Sequence, residues 1–149
     1  MSVFSPESFM SSQFTEASET KFVAVPEGEY PAVVKSVEAA TWQSRDGSKS
    51  GLKLELVWAI DDESVRQSTG MAEPQARQSI MLDLTDSGGL ATGPNKNVNL
   101  GKLRDAVGQN VSGKPWAPPM LSGQVARVTV RHRLYEDQVF AEVKGVAKL

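Results

Sequence analysis

From Gly123 to Leu149 the chain reads GQVARVTVRHRLYEDQVFAEVKGVAKL, two alternating runs on either side of a short polar turn. A hydrophobic period of two marks a strand, and two such runs around a turn predict an antiparallel β-hairpin. In the first run Ala126, Val128 and Val130 fall on one face, and Arg127, Thr129, Arg131 and Arg133 fall on the other. A strand that stacks three arginines on one face needs open water or an anionic partner.

More strands are predicted upstream. Glu29 to about Thr41, EYPAVVKSVEAAT, follows the turn signal Pro26-Glu27-Gly28, and Pro31 suits an edge position or a strand start. Leu52 to Ile60 puts Leu52, Leu54, Leu56, Trp58 and Ile60 on an apolar face, with Lys53 and Glu55 pointing away. Asp61 to Ser64 reads as a turn, and residues 65–76 support either strand or loop. A third strand is expected from Arg77 to Leu84, with Ile80, Leu82 and Leu84 inward. After a Gly/Asn-rich loop over 85–97 comes the one helix that the pattern supports, Leu100 to Val107. Leu100, Leu103 and Val107 recur at helical spacing, Asn97 or Asn99 can cap its start, and Gly108 suits a left-handed end.

The first twenty residues are rich in Ser and Glu, and Phe4, Phe9 and Phe14 recur every five residues, a period of neither helix nor strand. They read as a flexible arm. The expected organisation is an arm over 1–22 and one domain over 23–149. With 149 residues, 40% hydrophobic and 23% charged, the chain can bury a core of its own. No apolar run approaches the ~20 residues that span a bilayer, and the start lacks the pattern of a secretory signal, so no membrane partner is expected. The absence of cysteine excludes disulfides and cysteine–metal sites, and fits an intracellular protein.

Net charge is −2, but it is distributed unevenly. Residues 1–30 carry five Glu and one Lys, whereas residues 98–149 carry eight basic and four acidic side chains. Local field rather than total charge steers an anionic ligand, so an acidic chain can still present one basic face. With one His and no Cys, most metal and nucleophile constellations are missing. The glycine loop at 88–93 lacks the Lys-Ser/Thr ending of a phosphate-binding loop. No enzyme, metal or cofactor is expected.

Strand, strand, strand, helix, strand, strand is the order of the OB-fold. The expected fold is therefore mainly β, a five-stranded OB-like Greek-key barrel with one short helix between strands 3 and 4; a five-stranded sandwich or jelly-roll fragment competes. Such barrels bind single strands on the outer face of strands 2 and 3 and on the flanking loops. Here the loop between strands 1 and 2 holds Trp42, Arg45 and Lys49, and the last hairpin holds Arg127, Arg131, Arg133 and Tyr135. Both pair a cation with a π-face, which suits phosphates and unstacked bases. The outer face of strands 2 and 3 adds Lys53 and Arg77, with Glu55 and Met81, but no aromatic. The plainer alternatives stay open: Trp42 closing a barrel end, Tyr135 covering the rim, the arginines solvated or paired with Glu142, and His132, on the apolar side of its strand, a buried or rim histidine rather than a ligand.

The stretches VPEGEYPAVVKSVE, KSGLKLELVWAI, LGKLRDAVGQ and LSGQVARVTVRHRLYEDQVFAEVKGV span most of residues 25–146. In their turns and alternation the chain resembles small bacteriophage single-stranded-DNA-binding proteins with an OB-like domain. The resemblance implies a non-catalytic, largely sequence-independent coat for single-stranded DNA in phage replication or recombination, in the cytoplasm of an infected bacterial host. Replication or recombination proteins and a second copy of the chain are the further candidate partners. Such proteins often recruit partners through an acidic tail, whereas this chain ends VKGVAKL and carries its acidic segment at the front. The alternative reading is a virion structural β-barrel, a decoration or tail component, that docks through the N-terminal arm.

Overall fold

The computed structural model describes residues 4–149, so the first three residues of the expected arm lie outside the described residues. Five strands, β1 (Gly28–Gln43), β2 (Ser50–Ile60), β3 (Gln75–Met81), β4 (Val125–Tyr135) and β5 (Gln138–Ala147), form one mainly antiparallel sheet. The sheet closes in a ring in the order β1-β2-β3-β5-β4. β1 is long enough to serve two neighbours: Gly28–Val33 pair with β4 and Ala32–Gln43 with β2, the two ladders overlapping at Ala32 and Val33. The closing pair, β3 with β5, is parallel and consists of one bridge, Arg77 with Glu142, whereas the other pairs are long ladders, with register shifts at Val34/Ser36 in β1–β2 and at Thr129/Val130 in β4–β5.

Alternation decides which side of each strand is buried. Leu54, Leu56, Trp58 and Ile60 of β2 meet Val34 of β1, Ile80 of β3, Val128 and Val130 of β4 and Val143 of β5 inside the ring. Trp58 is the largest fully buried side chain, and its Nε1–H donates to Gln78 Oε1 at 2.8 Å. The expected helix is present as α3 (Val98–Ala106), and it adds Leu100, Leu103 and Ala106 to the same core. Asn97 stands at its start, but its side chain leaves the helix uncapped and instead bonds to the backbone of Asp83 and Ala91. Gly108 has φ +74°, the left-handed conformation that ends a helix most readily without a Cβ.

The single-helix expectation is corrected. Residues 63–69, placed in a turn and an ambiguous stretch, form α2 (Glu63–Thr69) between β2 and β3. Asp62 accepts from Val65 N at 3.0 Å as its cap, and only Val65 is buried. A short α1 (Pro6–Ser11) lies in the arm, so the arm is not wholly irregular; Phe9 and Phe14 pack ring to ring at 5.3 Å. The third strand ends at Met81 rather than Leu84. No helix among the described residues is long and apolar enough to cross a membrane.

Candidate nucleic-acid interface

The β4–β5 hairpin turns through Glu136 and Asp137, both with positive φ, a two-residue turn that fixes the register beyond it. Tyr135 opposes Gln138, Arg133 opposes Phe140, and Arg131 opposes Glu142. Opposed residues share a face, so Arg131, Arg133, Tyr135, Phe140 and Glu142 stand together on the outside of the ring. All of residues 131–140 are exposed. The Arg133 guanidinium lies 5.9 Å from the ring centroids of both Tyr135 and Phe140, and its Nε sits 2.7 Å from Glu142 Oε1. Glu142 also accepts Lys144 Nζ at 2.8 Å. Arg131 keeps its charge unpaired among the described residues, with Nη1 donating to the Val130 carbonyl.

The arginine face is thus less uniformly basic than the run 123–135 suggests. No acid interrupts that run, but pairing brings Glu142 opposite Arg131 and Glu29 opposite Thr129. Arg127 is exposed on the same face, opposite Pro31 and Ala147. His132 points to the other side, where its backbone N–H donates to Glu27 Oε2 and its Nε2 lies 2.7 Å from the Val25 carbonyl. It fastens the hairpin to the segment entering β1.

The β1–β2 hairpin leaves the ring at the opposite end of β1. Trp42 opposes Gly51 there, and its indole lies flat across the glycine: a Cβ on Gly51 would stand 2.9 Å from Trp42 Nε1. Only glycine leaves room for this approach. The outer face of β2 and β3 has no aromatic of its own, as expected, but the Trp42 indole from β1 lies over its edge at Gly51. The indole is half-buried, and its Nε1 is buried with no hydrogen-bond partner among the described residues. Gly51→Ala is expected to push the ring off the sheet. The Trp42 indole N–H resonance should move, while those of Trp58 and Trp116, both hydrogen-bonded, should stay in place; three unmoved resonances would mean the ring does not rest on Gly51.

Arg45 and Lys49 are exposed in the connecting turn and unpaired among the described residues. Asp46 organises that turn, accepting from Ser48 N at 3.0 Å and from the Ser48 and Ser44 hydroxyls at 2.7 Å. These bonds, the Ser48 backbone first, favour the ionised form and lower its pKa from 3.8 to about 2. Because the folded value is depressed, the stabilisation is complete above the unfolded value and is lost as pH falls through about 2. The carboxyl resonance of Asp46 should titrate near 2; a midpoint near 3.8 would refute the bonded turn.

Lys53 is held by Glu55 at 2.9 Å, whereas Arg77 has no ion-pair partner among the described residues. Register joins the two hairpins across the outside: Val57 opposes Arg77, Arg77 opposes Glu142, and Glu142 opposes Arg131. One transverse row thus runs over four strands, each step about 4.8 Å. Phe140 was absent from the sequence-derived residues, although counting back from a two-residue turn would have placed it beside Arg133. No protein-family model matches the sequence, and no curated protein is significantly similar to it.

Proposed function

We propose that the chain is a non-catalytic single-stranded-DNA-binding protein built on an OB-like barrel and acting in phage DNA replication or recombination. The outer face of the β4–β5 hairpin carries this reading: two guanidinium groups beside two exposed rings, Tyr135 and Phe140. Guanidinium groups neutralise phosphates and rings stack on unpaired bases, so one surface offers what a single strand needs and a duplex, with its bases enclosed, cannot use as well. Strand order and the parallel closing pair support the OB-like architecture. Trp42 over Gly51, with Arg45 and Lys49 in the adjoining turn, supplies a second candidate contact.

The test is an anisotropy titration with labelled oligo-dT and a matched duplex at low and moderate salt. Tight, salt-sensitive binding to the single strand alone is expected; no binding at low salt would overturn the reading. Arg131→Ala with Arg133→Ala should flatten the dependence of log K on log salt by about 1.4, two contacts at ~0.7 each. An unchanged slope would remove the arginines from the site.

The arm favours a second reading, a virion component docking through it, because Phe9, Met10, Phe14 and Phe22 are exposed. Deleting residues 1–22 would then abolish assembly and leave the barrel folded, whereas DNA binding that survives the deletion in the absence of any assembly favours the first.

A further inference from the structure

Beyond the Arg77–Glu142 bridge, β3 and β5 diverge and a cleft of about 230 Å³ opens between them. Its floor is Ile80, Leu103 and Val143, all buried. Its rim carries Arg77 from β3, Lys144 from β5 and Lys102, which α3 brings up from below. The one acid on the rim, Glu142, is already held by Arg133 and Lys144, while Arg77 and Lys102 have no ion-pair partner among the described residues. We propose that this cleft holds a backbone phosphodiester of the bound strand, between the contacts made by the two hairpins. The inference rests on the single-strand reading above.

Three observations converge on that occupant. Two unpaired cations over an apolar floor are poorly screened on one side, so an anion entering the cleft is attracted more strongly than at an open surface. The volume lies below the roughly 300–1,000 Å³ of pockets that enclose a drug-sized ligand, which suits a phosphate group and not a cofactor. The position lies beside the row Val57, Arg77, Glu142 and Arg131, on the way from one hairpin to the other. Lys102 comes from a helix, outside the strands and loops of the proposed interface.

The chain has no cysteine, so Lys102→Cys creates a unique thiol. Saturating oligo-dT should slow its modification by a maleimide several-fold, while Lys21→Cys on the arm reacts equally fast with and without the strand. Lys102→Ala should also reduce the salt slope by about 0.7, and Lys21→Ala should leave it unchanged. If oligo-dT binds but the thiol at 102 stays unprotected, the cleft is not a contact and the single-strand reading survives. If the unaltered protein fails to bind oligo-dT at low salt, both fall together.

Discussion

Trp58→Ala is expected to destabilise the protein by about 3–5 kcal/mol, the range for removing a large aromatic from a packed core. Trp58 is wholly buried in β2 and packs where all five strands of the ring contribute apolar side chains. Its truncation leaves a cavity that the surrounding ladders cannot close without shifting register, and it leaves Gln78 Oε1 without its donor. Against a typical total of 5–15 kcal/mol, such a loss is a large fraction, and Tm should fall by roughly 10 °C or more. Urea denaturation should show the midpoint falling with the m-value unchanged. Trp58→Phe, which keeps most of the volume and loses the donor and part of the ring system, should cost distinctly less. A loss under about 1 kcal/mol for the alanine variant would mean that Trp58 is not the centre of the core.

The strands of this ring were legible because one side of each is buried, and burial imposes period two on the sequence. Leu54, Leu56 and Trp58, or Ala126, Val128 and Val130, could not have been read otherwise. Helix α2 escaped because its seven residues, ESVRQST, bury only Val65 and so carry no apolar period. Its signals were the cap at Asp62 and the left-handed glycine at 70, which a turn also uses. The run Ile80, Leu82, Leu84 continues the alternation past the end of β3, but Asn97 binds the N–H and C=O of Asp83 with its own amide, and Asp83 Oδ2 accepts Asn97 N. That clasp takes the Asp83 N–H, and the Asp83 carbonyl accepts Ala91 N at 2.9 Å as well, so the groups that would continue the ladder along β2 are bonded elsewhere. The candidate site was less legible than the fold, because it depends on register across strands. Trp42 reaches the outer face of β2 only because Gly51 stands opposite, and Glu142 and Glu29 temper the arginine face from neighbouring strands.

Tyr135→Ala combined with Phe140→Ala is expected to weaken binding to oligo-dT by about 2–6 kcal/mol, taking ~1–3 kcal/mol for each stacked base. The lower end is roughly 30-fold in affinity. Both residues are exposed, Tyr135 at 56% and Phe140 at 37%, on a hairpin whose outer face lies beyond the core, so stability should change little. The loss of the Arg133 contacts to both rings is worth only ~0.5–1 kcal/mol at an exposed site. The double variant changes no charge, so the slope of log K against log salt should stay as it was. Removing Arg131 and Arg133 does the opposite, flattening the slope while the rings remain. The two kinds of variant therefore separate stacking from phosphate neutralisation on one surface. If the aromatic variant left affinity intact, Tyr135 and Phe140 would be rim cover and the hairpin an electrostatic contact alone. If it flattened the slope as well, the arginines would depend on the rings for their position, and the Arg133 guanidinium set against both of them is where that dependence would lie.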